Sequence, residues 1–160
     1  MPRIFTATMI RKPAETVYEY VTTPGNWPRW HPSSLAVTGA TNHSLQVGEQ
    51  VTEEYLVAGR LGRAVWTVAE RDAPHHWTIE GAVAGTKHGG RVRYTLYPQA
   101  SGDTFFEREL WYEFSNPFHR ILDAWFIRRR LQRESAEALA RLKARLEELG
   151  DSERSTTGAG

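Results

Sequence analysis

The sequence predicts an α+β domain in which an antiparallel sheet packs against one long C-terminal helix, and three observations carry that prediction. Asn116-Pro117 opens a helical pattern that runs to Gly150. The segments before it are rich in β-branched and aromatic residues and are punctuated by Gly59, Gly62, Pro74, Gly85, Pro98 and Gly102. Helical and strand-like segments are segregated rather than alternating, which favours hairpin-linked strands over parallel crossovers.

Arg3 to Ile10 reads as the first strand. Pro13-Ala14-Glu15 then starts a short helix through Val21, with Pro13 in the first turn, where no amide hydrogen is needed. Thr23 is the expected cap of a second helical turn begun by Pro24, in which Trp27 and Trp30 face one surface. A short strand signal at Leu35 to Thr38 precedes Gln50 to Val57, Arg63 to Arg71, His76 to Ala84, Arg91 to Tyr97 and Thr104 to Phe114. The total is about six or seven strands joined by short polar turns, an antiparallel meander. In the long helix Asn116 can cap the free N–H groups, Pro117 suits the first position and Gly150 suits the stop. Ile121, Leu122, Trp125, Phe126 and Ile127 crowd its first turns, and Leu131, Leu139, Leu142, Leu146 and Leu149 return at helical spacing with charges between them. A helix of this length needs a broad partner surface, and a sheet wrapped around one often keeps a pocket.

With 160 residues, 40% of them hydrophobic, the chain fits one domain over residues 1–150, large enough to bury ~70% of its unfolded surface. Asp151 to Gly160 is small and polar and reads as a disordered tail. The 20 basic and 19 acidic residues leave a formal charge of +1, no basis for nucleic-acid binding. The absence of Cys excludes disulfides, thiol catalysis and thiolate metal sites. No apolar run reaches the ~18 residues of a membrane span. Met1-Pro2-Arg3 lacks a signal-like apolar stretch, so the chain is expected in the cytoplasm.

Strand alternation selects inward-facing residues. Val92, Tyr94 and Leu96 share one face. In the last strand Phe106, Leu110, Tyr112 and Phe114 share the apolar face, and the same period carries Arg108 inward. A buried guanidinium needs a partner: a polar or anionic ligand group, an ion pair with a glutamate such as Glu54, or solvent at the sheet rim.

Three stretches carry a family resemblance: Ile10-Arg11-Lys12-Pro13-Ala14-Glu15-Thr16-Val17-Tyr18, Asn26-Trp27-Pro28-Arg29-Trp30-His31-Pro32, and Gly102-Asp103-Thr104 before the last strand. In these the chain resembles the START-like superfamily, also called SRPBCC, most closely its bacterial polyketide cyclase/dehydrase and lipid-transport branch, over about residues 3 to 149. The resemblance implies the helix-grip fold, in which a curved antiparallel sheet grips the C-terminal helix and two short helices close one end. It also implies a lipophilic cavity. It does not fix chemistry, because the fold hosts carriers, receptors, cyclases, hydrolytic enzymes and co-chaperones.

Six Trp suit a cavity for rings or acyl chains, although packing alone would also account for them. Trp125 sits early on the long helix and cannot face the sheet together with Phe126; pocket lining, membrane contact and dimer packing are all open to it. His31 is the candidate for acid–base work, since imidazole titrates near neutral pH; a surface or capping role is the plainer alternative. Tyr55, Tyr94, Tyr112 and Arg108 could serve as donors to a developing oxyanion. The other histidines show no metal-ligand spacing, and no phosphate loop, nucleophile elbow or dinucleotide fingerprint occurs, so neither metal nor cofactor is expected. Arg128, Arg129 and Arg130 form a charge run suited to transient contact with an anionic membrane surface, or to a solvated helix face in which Arg130–Glu134, Arg133–Glu137 and Lys143–Glu147 pair.

The expected function is binding or transport of a hydrophobic small molecule, lipid, sterol-like or aromatic polyketide, between sheet and helix. The expected lining is Trp66, Trp77, Tyr94, Leu96, Phe106, Arg108, Tyr112, Ile121 and Trp125. Two alternatives stand beside it: a polyketide cyclase or dehydratase in which His31, Tyr94 or Arg108 assists proton transfer in the same cavity, and a protein-interaction module using the outer surface. A monomer or a homodimer suits each of these.

Overall fold

A computed structural model describes the backbone of residues 2–57, 59–83, 89–113 and 119–157, and their side chains except at 83, 119–124 and 151–157. Seven strands form one antiparallel sheet: β1 (Arg3–Ile10), β2 (Ser34–Gly39), β3 (Gln50–Val57), β4 (Arg60–Asp72), β5 (His76–Val83), β6 (Gly89–Pro98) and β7 (Thr104–Tyr112). Helices α1 (Ala14–Thr22) and α2 (Trp27–Trp30), separated by a 3₁₀ turn at Pro24–Asn26, follow β1, and α3 (His119–Thr157) ends the chain. The sheet order β1-β7-β6-β5-β4-β3-β2 is a meander from β2 to β7, with β1 added beside β7. The fold is therefore the expected α+β helix-grip arrangement. No helix among the described residues is long and apolar enough to cross a membrane.

Local chemistry accounts for most of the boundaries. β3 and β4 form a tight hairpin with Gly59 at φ +75°, a conformation L side chains rarely adopt, so β4 begins at Arg60 rather than at Arg63. Pro13 sits just outside α1 and lends its fixed backbone angle to the helix start. Thr23 does not cap the next turn as expected; its hydroxyl donates back to the Glu19 carbonyl at 2.6 Å. The Asn116-Pro117 start of α3 lies outside the described residues.

At the other end α3 does not stop at Gly150 but continues to Thr157, past the expected boundary of the ordered domain. Gly150 is buried beside Lys12, where a Cβ would lie 2.2 Å from Lys12 Nζ. The neighbour is the flexible end of a lysine, which can swing aside, so the glycine is neither a helix stop nor required by this approach.

The core lies under the closed half of the sheet. Val17, Val21, Trp27 and Trp30 from the short helices meet Leu139, Leu142 and Leu146 from α3 over Trp77, Leu96 and Phe106. Helix α3 packs chiefly on β1 and α2. Lys143 Nζ donates to the Met9 carbonyl at 2.6 Å, and the Arg11 amide donates to Glu147 at 3.1 Å. Because α3 is fastened at this edge, the inner faces of β3 to β6 curve away from its first half and leave a space.

Candidate functional site: a cavity with a buried guanidinium

That space is a cavity of about 690 Å³ between the sheet and α3, within the range of small-molecule sites. Trp30, Trp66, Ile79, Val92, Leu110 and Leu131 supply much of its apolar wall. Its closed end abuts α2, where Trp27 and Trp30 are buried. Its mouth is marked by Leu61 and Phe126, which line it yet are 77% and 68% exposed.

Arg108 lies at the closed end. The period of two along β7 turns it inward with Phe106 and Leu110, opposite Tyr94 on β6, and only 4% of it is exposed. Its Nη1 donates to Ser135 Oγ and its Nη2 to His31 Nε2, both at 3.0 Å. No carboxylate pairs with Arg108 among the described residues. The expected partner Glu54 faces outward and takes Arg63 at 2.8 Å. Its neighbour Glu53 faces inward and accepts the Trp66 indole N–H at 2.7 Å. Glu134 is likewise engaged, by the Ser33 hydroxyl at 2.9 Å and Arg130 Nε at 3.1 Å.

The electrostatics follow from burial. Desolvation, then the Arg108 charge, push the His31 imidazole down to about 3, so it is neutral at ordinary pH. Guanidinium can only donate, so His31 Nε2 is the acceptor and its proton sits on Nδ1, which is buried without a partner. Burial also raises Tyr94 to about 12, against the Arg108 charge and a hydrogen bond from that guanidinium, and keeps the phenol protonated. Glu53 is raised by burial, against hydrogen bonds from Ser34 and Trp66 and the Arg108 charge. A carboxyl so placed is the group in this cavity best suited to hold or release a proton.

The structure brings together Trp66, Tyr94, Arg108, Tyr112 and His31 at the cavity wall. It does not bring Trp77, Leu96 or Phe106 there: all three face inward as expected but lie farther along their strands, beneath the short helices, where Trp77 stacks on Tyr94 at 5.3 Å. Trp125 is 68% exposed and off the wall, with the Arg129 guanidinium 4.4 Å from its ring centroid; Phe126 and Ile127 line the cavity instead. Trp111 faces outward beneath Arg93. The side chain of Ile121, and Phe114, lie outside the described residues. Arg128 and Arg129 are exposed. Arg130–Glu134 and Lys143–Glu147 pair as expected, whereas Glu137 takes Arg141 rather than Arg133. Sequence reasoning missed Glu53, although Val51, Glu53 and Tyr55 share the inward period of β3, and it missed Ser135, whose pairing with Arg108 no local pattern announces.

Comparison with known proteins gives a family match. The model of the family described as polyketide cyclase / dehydrase and lipid transport matches residues 1–147. No curated protein sequence matches. Among solved structures, a protein from Thermus thermophilus superposes with a TM-score of 0.72 at 14% identity, covering 92% of this chain and 99% of that one. A START superfamily protein from Mycobacterium smegmatis gives 0.67 at 14%, covering 92% and 98%. DynU16, from the dynemicin biosynthetic locus, gives 0.64 at 14%, covering 91% of this chain and 47% of that one. Likeness at such identity speaks for the fold.

Proposed function

The chain belongs to the polyketide cyclase/dehydrase and lipid-transport family, and from that premise we propose that it binds a hydrophobic small molecule in the cavity between sheet and α3. The observation that carries this reading is the cavity itself: about 690 Å³ with aromatic and aliphatic walls, a polar group of residues at one end and a mouth at the other. Apolar surface that water alone would wet is a standing cost, which a lipophilic guest removes. His31 and Ser135 serve here to orient Arg108, and Trp66 and Tyr94 give the guest flat faces. Saturable binding of the neutral dye Nile red tests it. Wild type should bind one equivalent, and Ala64→Trp, which fills the wall from a position only 3% exposed, should lose binding while still unfolding cooperatively. Unchanged binding in that variant would place the dye elsewhere and sink the reading.

A second reading, a cyclase or dehydratase, is favoured by one observation, the buried Glu53 with its raised affinity for a proton. Glu53, rather than the neutral and already engaged His31, would then accept the substrate proton, with Arg108 facing the developing oxyanion. Turnover of a bound polyketide that Glu53→Gln abolishes without loss of binding would establish it.

A further inference from the structure

We propose that the ligand is a lipophilic carboxylic acid whose carboxylate is held by Arg108 at the closed end of the cavity, an inference that rests on the cavity being a ligand site. The guanidinium is buried, and the groups it hydrogen-bonds, the Ser135 hydroxyl, the neutral His31 ring and the protonated Tyr94 phenol, bring no charge to offset it; Glu53 acts on it only through space. A buried cation that no carboxylate hydrogen-bonds, as is the case here among the described residues, is an unfavourable arrangement in a folded chain. The carboxylates at this end are occupied: Glu53 by the Trp66 indole, Glu134 by Ser33 and Arg130.

The surrounding hydrogen-bond inventory leans the same way. On the residues lining this end, the buried polar atoms without a partner are Trp30 Nε1, His31 Nδ1 and Arg108 Nε. All three are donors, His31 Nδ1 because Arg108 fixes the proton there. A carboxylate supplies what is missing, one negative charge and about four lone-pair positions in a flat group that matches a guanidinium. A dianionic phosphate fits less well. It would bring a second negative charge toward Glu53 and Glu134, which a monocarboxylate does not. The apolar body then lies along Trp66, Val92 and Leu110 toward Leu61 and Phe126.

The test is displacement of Nile red by matched pairs, dodecanoic acid against its methyl ester and 1-pyrenebutyric acid against its methyl ester. In wild type at pH 7.5 at least one acid should bind roughly tenfold or more tightly than its ester. In Arg108→Gln the acid-to-ester ratio should fall to near one; because the two ligands are compared within one protein, a distorted cavity does not mimic the effect. Should that variant fail to fold, Arg108→Lys keeps the charge but loses the fork, and the ratio should drop several-fold. Equal binding of acid and ester in wild type, or a preference that survives Arg108→Gln, overturns the proposal and leaves the cavity reading standing. Failure of dye, acids and esters alike overturns both.

Discussion

Arg108 Nη2 lies 3.0 Å from His31 Nε2, a contact between two groups that could each carry a positive charge. Only one does. Burial disfavours the protonated imidazole, and the adjacent guanidinium charge acts in the same direction. His31 thus becomes an acceptor that helps orient Arg108, which the sequence, offering a histidine in a turn, had suggested as a proton carrier.

Unfolded, His31 takes up a proton near its usual 6.5; folded, only near 3. Between these values the unfolded chain holds more protons, so the His31 contribution to stability is complete above about 6.5 and declines as the pH falls toward 3. Urea denaturation should show a loss from pH 7 to pH 5 that is smaller by about 1–2 kcal/mol in His31→Gln. Equal losses in both proteins would mean that His31 titrates normally.

Glu53 sits near Arg108 without pairing to it, and a ligand carboxylate at Arg108 would feel its charge. Glu53→Gln should therefore raise the acid-to-ester affinity ratio several-fold, read by Nile red displacement. A ratio that stays put would show that Glu53 is already neutral or too distant to matter.

Trp66 lies flat over Gly81, its cross-strand partner, and a Cβ at Gly81 would come within 2.4 Å of the ring. Gly81→Ala should displace the indole, break its bond to Glu53 and cost roughly 1–3 kcal/mol. In a double-mutant cycle most of that cost should vanish in a Trp66→Ala background. Additive effects would rule out the clash.

Two tryptophans expected to line the cavity should behave oppositely. Trp77→Ala, a fully buried ring stacked on Tyr94, should lower unfolding free energy by about 3–5 kcal/mol. Trp125→Ala, at 68% exposure, should change it by no more than about 0.5 kcal/mol. Chemical denaturation of the pair checks both.

That contrast shows where sequence reasoning reached and where it ended. Arg3–Ile10 and Gln50–Val57 were bounded correctly because β-branched and aromatic runs with clear turn residues define strands locally. The inward direction of Arg108 followed from a period of two, and the same period would have chosen Glu53 over Glu54. What alternation cannot say is how far along a strand a residue sits beneath the short helices, and this alone separates Trp77, Leu96 and Phe106 in the core from Trp66 and Tyr94 at the cavity. Nor could helical spacing show that α3 leans on β1 and turns Phe126 rather than Trp125 to the cavity, or that Gly150 sits within a helix beside Lys12.

Native mass spectrometry of the purified protein, before and after incubation with dodecanoic acid and 1-pyrenebutyric acid, decides whether the cavity is an open ligand site. A one-to-one lipophilic adduct in wild type, absent from Ala64→Trp, is the predicted result. A bare protein mass under every one of these conditions would contradict it.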